Sequence, residues 1–230
     1  ALPISRCLND LTRPMQSIPI APRAHDALGL LVQCRAGFEA DAGQELQACA
    51  ARLAFRLQAQ AQSGFVFLAL ETPQAHDDLR RRVDTSRLVF ARQSFQVLAV
   101  IDDLPDRDRL TPLVERIEAF NERFSAILLE TPDTNAGKEQ SGFLRRFGPL
   151  LEEALSQAGL LRADSPHLPR LHVFLASPKR ALLGISLASE GSSWPMGIPR
   201  LRMPKDAPSR STLKLAEAIS DLLTEDEQRA

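Results

Sequence analysis

The sequence predicts an α+β fold made of two consecutive α/β layers. Short β-rich runs alternate with amphipathic helical stretches from residue 28 to residue 188. The first stretch has the order β-α-β-β-α-β, and a second set, α-β-α-β-β, follows it. The first order is the split βαβ plan of ferredoxin-like domains. A length of 230 residues suits one or two such domains.

The elements follow in chain order. "LGLLVQCRA" (28–36) is an apolar run of strand length. "GFEADAGQELQACAARL" (37–53) sets Phe38, Ala42, Leu46, Cys49 and Leu53 at spacings of three and four, which predicts a helix. "FRLQAQ" (55–60) alternates, and "GFVFLAL" (64–70) is β-rich behind a glycine. "HDDLRRRVD" (76–84) predicts a short helix with Arg80–Arg82 on a solvated face, and "RLVFARQSFQVLAVI" (87–101) a long strand.

In the second set, "DRLTPLVERIEAFNERF" (108–124) puts Leu113, Ile117, Phe120 and Phe124 on one helical face. "SAILLETPD" (125–133) reads as a strand, and "SGFLRRFGPLLEEALSQAGL" (141–160) as a helix ending near Gly159. "RLHVFLA" (170–176) and "RALLGISLA" (180–188) form a hairpin across "SPK". Residues 189–209 hold four prolines and two glycines, a linker or extended arm, and 210–223 predict a last helix. The division is thus a leader (1–27), a first domain (28–104), a second (105–188), a linker (189–209) and a final element (210–230).

Composition narrows the class. No apolar run approaches the roughly 18 residues that cross a bilayer. The leader carries four prolines and no uninterrupted apolar core, so it does not read as a signal peptide. Three cysteines without CxxC spacing (Cys7, Cys34, Cys49) suit a reducing compartment, and a cytoplasmic protein is expected. The net charge of −1 hides an asymmetry: residues 135–214 carry 12 basic and 6 acidic side chains, between acidic flanks. Such a basic section suits a polyanion-binding face.

Chemical motifs are sparse. There is no G-x-G, no phosphate-binding loop and no metal-ligand spacing among the four histidines. His172, within "RLHVFLA", reads as a structural histidine on a strand face. Trp194, the single tryptophan, could stack on a base or anchor the arm to a domain surface, and anchoring is the favoured reading. Lys138, Arg145 and Arg146 flank a helix entrance where N–H groups and cations could grip phosphate. "PKDAPSRSTLKLAEAI" (204–219) predicts a helix capped by Ser209 or Ser211, with Lys214 one turn in and Leu215, Ile219 and Leu222 on an apolar stripe.

"RAGFEADAGQEL", "LVFARQSF", "DRLTPLVERI", "DTNAGKE", "HVFLASP" and "SWPMGIPRLRMPKDAPSRSTLKLAEA" resemble the ribosomal RNA large subunit methyltransferase M family, from about Leu30 to Ala218. The resemblance implies a ferredoxin-like domain, then a THUMP RNA-binding domain, then the first helix of a Rossmann-like methyltransferase domain. It implies methylation of a cytidine ribose 2′-oxygen in 23S ribosomal RNA with S-adenosyl-L-methionine. Lys214 matches the first lysine of a Lys-Asp-Lys catalytic set, and Ser211 a cofactor contact. Lys138, Arg145, Arg146, Lys179, Arg180, Arg200, Arg202 and Arg210 become candidate RNA contacts.

A free lysine is neutral in only about one molecule in 2,500 at pH 7, so a charged Lys214 would orient the hydroxyl and favour its alkoxide. The family's Gly-rich cofactor loop, catalytic Asp and second Lys have no counterpart here. The expectation is an N-terminal portion that binds RNA but neither catalyses nor binds the cofactor. A freestanding THUMP-type RNA-binding module and a ferredoxin-like sensing or dimerisation module are the alternatives.

Overall fold

A computed structural model describes residues 26–61, 63–85, 88–199, 201–203, 209 and 211–222. The leader falls almost wholly outside these residues. The first half comprises β1 (Asp26–Gln33), α1 (Glu39–Cys49), β2 (Phe55–Ala59), β3 (Phe65–Ala75), α2 (His76–Arg82) and β4 (Gln93–Ile101). The second comprises α3 (Leu110–Glu118), β5 (Ala126–Glu130), α4 (Asn135–Glu139), α5 (Ser141–Gln157), β6 (Arg170–Ser177) and β7 (Arg180–Ser186). A 3-10 turn at Pro195–Gly197 and helix α6 (Ser211–Leu222) follow.

Two departures from the sequence pattern have local causes. The fourth strand begins at Gln93 rather than at residue 87, because the N–H groups of Val89 and Phe90 donate to the Glu45 carboxylate of α1 instead of to a strand. The short helix α4 arises where the Thr134 hydroxyl accepts the Gly137 N–H at 3.1 Å, an N-cap.

All seven strands form one sheet in the order β2-β3-β1-β4-β7-β6-β5. The first four pair antiparallel in split-βαβ order, which makes the first half ferredoxin-like. The sheet continues because β4 pairs antiparallel with β7, Gln96 opposite Ile185. The β6–β7 hairpin and parallel β5 complete it.

Alternation along the strands divides the core. One face sends Leu30, Val32, Val66, Leu68, Leu171, Val173 and Leu183 against Leu46 of α1, Leu79 of α2, Leu113 and Ile117 of α3, and Phe147, Leu151 and Leu155 of α5. The other face sends only strand residues to its cluster: Leu31, Phe67, Phe95, Val97, Phe174 and Leu182. These are as buried as the helix side because the sheet curls around them. Phe65 of β3 and Phe174 of β6 meet edge to face at 5.0 Å between centroids. Three strands lie between them, and a flat sheet would hold them about 19 Å apart.

Two glycines permit the tight inner layer. A Cβ at Gly29 would lie 2.1 Å from the Leu68 carbonyl oxygen and 2.8 Å from the Phe67 ring. At Gly184 it would lie 2.1 Å from the Gln96 carbonyl and 2.6 Å from the Phe95 ring. The rings fold down into space that any other residue would fill.

Candidate nucleic-acid interface

The inner layer ends in polar side chains that pin the arm following β7. Arg170, 7% exposed, donates to the carbonyls of Leu187 (2.7 Å), Gly191 (3.0 Å) and Ser192 (2.9 Å). Burial pulls its guanidinium below the ordinary value, an effect that Glu130 and Glu190 oppose. The Gln93 amide donates to the carbonyls of Ser192 (2.9 Å) and Trp194 (3.2 Å). The Met196 N–H donates to Glu130. Met196 and Gly197 hold φ of 61° and 64°, and a Cβ at Gly197 would lie 1.8 Å from the Arg92 carbonyl oxygen. Only glycine fits there.

Glu130 also accepts from His172 Nδ1 at 2.8 Å, and His172 Nε2 meets the Ser186 hydroxyl at 2.8 Å. With Nδ1–H donating to Glu130, Nε2 of a neutral ring accepts a hydrogen bond from that hydroxyl. The imidazole stacks on Phe95 at 4.5 Å. A Ser-His-Glu order invites a nucleophile reading, but all three residues are buried, and the cavity that Ser186 lines is only about 20 Å³, too small for a substrate. The network is structural, in line with the strand-face reading of His172.

Between this pinned arm and the β5–α5 side lies an open groove of about 1530 Å³. Thr131, Asp133, Lys138, Ser141, Arg145 and Glu152 line one side, Ser192–Pro199 the other, and Glu217 of α6 also faces it. Arg92 lines it too, bonded to Asp133 at 2.7 Å.

The candidate RNA contacts are dispersed. Lys138 and Arg145 share the groove and are exposed, and Arg146 is exposed beside them on α5. Lys179 and Arg180 sit at the β6–β7 turn, where Arg180 pairs with Asp102 at 3.2 Å. Arg202 is exposed, whereas Arg200 and Arg210 lie outside the described residues. At α6 the Ser209 hydroxyl accepts the Ser211 N–H at 3.2 Å. Ser211 and Lys214 are exposed, as are Leu215 (62%) and Ile219 (38%).

Trp194 is 43% exposed at the groove, and hydrogen bonds hold the arm through its backbone, at the Ser192 and Trp194 carbonyls and the Met196 N–H. The anchors Glu130, Arg170 and Gln93 were missed from sequence. A Glu at the end of β5 and an Arg at the start of β6 were the available signal, since buried charge requires partners.

A split-βαβ half joined edge to edge with a second α/β set defines a ferredoxin-like two-part α/β protein. Residues 28–95 match the family described as RlmM ferredoxin-like domain, and residues 108–187 match ribosomal RNA large subunit methyltransferase M, N-terminal. Together these segments cover more than half of the chain, which belongs to the ribosomal RNA large subunit methyltransferase M family.

The chain is 46% identical over 202 residues to a protein of that name from Thauera aminoaromatica, covering 87% of this chain and 56% of the relative. It is 45% identical over 206 residues to another from Aromatoleum aromaticum, covering 89% and 56%. The chain thus spans a little over half the length of these relatives. A crystal structure of TrmN from Thermus thermophilus is similar at 20% identity with a TM-score of 0.42, over 68% of this chain and 44% of that one. Among the described residues, no helix is long and apolar enough to cross a membrane, and no group of three or more His, Cys, Asp or Glu could hold a metal.

Proposed function

We propose that this chain is the RNA-binding N-terminal portion of an S-adenosyl-L-methionine-dependent 23S ribosomal RNA (cytidine ribose 2′-O) methyltransferase, acting in the cytoplasm. In this reading residues 28–104 form the ferredoxin-like domain and residues 105–188 a THUMP domain. The observation that carries it is the groove, where Lys138 and Arg145 project beside a rigid arm, in a chain of this family. Arg146, Lys179, Arg180, Arg200, Arg202 and Arg210 remain candidate contacts in this reading.

The cofactor fits the residues present poorly. Ser211 and Lys214 stand exposed on α6, and the described residues between the 3-10 turn and α6, Leu201–Met203 and Ser209 among them, are not a strand. A nucleotide-like cofactor needs a Gly-rich turn at a strand end. In the proposed reading α6 opens the catalytic domain, and exposed Leu215 and Ile219 are the face that would pack on it.

The test is a salt titration of RNA affinity. Neutralising Lys138, Arg145 and Arg146 together should weaken binding and flatten the log–log slope by about 0.7–0.9 for each phosphate left without its cation. An unchanged slope would place the RNA face elsewhere.

A further inference from the structure

We propose that Trp194 is a stacking platform for one unpaired RNA base, so that the groove selects single-stranded over duplex RNA. This inference rests on the RNA-binding reading above and deepens it.

The first observation is position. The only tryptophan of the chain stands at the groove with 43% of its surface exposed. The second is rigidity. The Trp194 carbonyl is held by Gln93 at 3.2 Å, and its N–H donates to the Ser192 hydroxyl at 3.1 Å. Ser192 is itself held by Arg170, and two residues beyond Trp194 the backbone is held by Glu130. With this backbone held, only the side-chain rotamer of Trp194 is left to order when a base settles on the ring.

The third observation is charge, and it decides between single strand and duplex. The groove's cations are Arg92, Lys138 and Arg145; its carboxylates are Asp133, Glu152 and Glu217. They balance, and Arg92 is already paired with Asp133 at 2.7 Å. A duplex, which offers mainly phosphates and buries its base faces, gains little from a groove with no net charge. A splayed strand gains a stacked base, while Lys138 and Arg145, which line the same groove, offer cations to its phosphates.

The chain has one tryptophan and no tyrosine, so its intrinsic fluorescence reports on Trp194 alone. The 230-residue chain is titrated with a short oligouridine RNA and with the duplex that this strand forms with oligoadenosine. Oligouridine should quench the fluorescence saturably, and the duplex should quench it far less. By filter binding, Trp194→Ala should weaken oligouridine binding roughly 5- to 100-fold while leaving duplex affinity unchanged.

Trp194→Phe keeps a π face and should retain most of the oligouridine affinity. Equal losses for the Phe and Ala variants, equal weakening toward both RNAs, or no loss with Ala would each overturn the stacking role while leaving RNA binding intact. Failure of the unaltered chain to bind either RNA would overturn the RNA-binding reading itself, and stacking with it.

Discussion

Glu130 of β5 accepts the backbone N–H of Met196, 66 residues further along the chain, while its other oxygen accepts from His172 at 2.8 Å. One carboxylate thus ties the buried inner layer of the sheet to the arm that walls the groove. The groove's shape therefore depends on core chemistry, and damage to the anchors should appear first in the arm.

Arg170→Met tests that dependence. The substitution keeps an apolar stem but removes three charge-assisted bonds to the Leu187, Gly191 and Ser192 carbonyls. We expect a loss of about 3 kcal/mol in urea unfolding. Thermolysin should cut within residues 187–198 under conditions where the unaltered chain resists. Equal resistance of the two proteins would mean that the arm is held by other contacts.

The curl of the sheet should be measurable as a coupling energy. Phe174→Ala should cost about 3–5 kcal/mol, since the ring is fully buried. A double-mutant cycle with Phe65→Ala should return about 0.5–1.5 kcal/mol of coupling for the edge-to-face pair. Strictly additive losses would show that the two rings do not interact across the sheet in solution.

Much of this architecture was legible because its elements carry local signals. Leu113 and Ile117 mark the buried side of α3, and Leu31 alternates with Leu30 and Val32 along β1. What escaped is non-local. The pairing of β4 with β7 leaves no trace in either strand alone, yet it fuses the two sets into one sheet. Residues 88–92 have β-rich composition, but Glu45 claims the N–H groups of Val89 and Phe90. At the candidate site, Lys138 and Arg145 were candidates from charge beside a helix start, and both line the groove. The Arg170 and Glu130 anchors act through backbone groups of the distant arm, and spacing in the sequence does not encode them.

Cys34 should impose a pH dependence on stability. Burial first, and then the Glu39 carboxylate, push its thiol from 9.0 up to about 12, with Arg92 opposing. The folded state therefore holds the neutral thiol while the unfolded chain ionises earlier. The stabilisation is complete below pH 9 and is lost as pH rises from about 9 toward 12. Cys34→Ala should lower stability near neutrality through poorer packing, yet narrow its gap to the unaltered chain above pH 9. A gap independent of pH across urea melts in that range would show that the thiol is not buried as described.

Lys214 is the residue that the family resemblance ties most closely to catalysis, and here it stands exposed one turn into α6. Leu215 beside it is 62% exposed, so this part of the helix contributes little apolar burial. Lys214→Ala and Leu215→Gln should each shift the unfolding free energy by no more than about 0.5 kcal/mol, as ordinary surface changes do. Lys214→Ala should leave RNA affinity unaltered, because Lys214 does not line the groove. Isothermal titration of the 230-residue chain with S-adenosyl-L-methionine should give no heat of binding, since Ser211 and Lys214 alone supply neither a Gly-rich turn nor an acidic ribose contact. Micromolar binding that Lys214→Ala abolishes would instead mean that these residues build a cofactor pocket, and the division of labour proposed for the chain would fail.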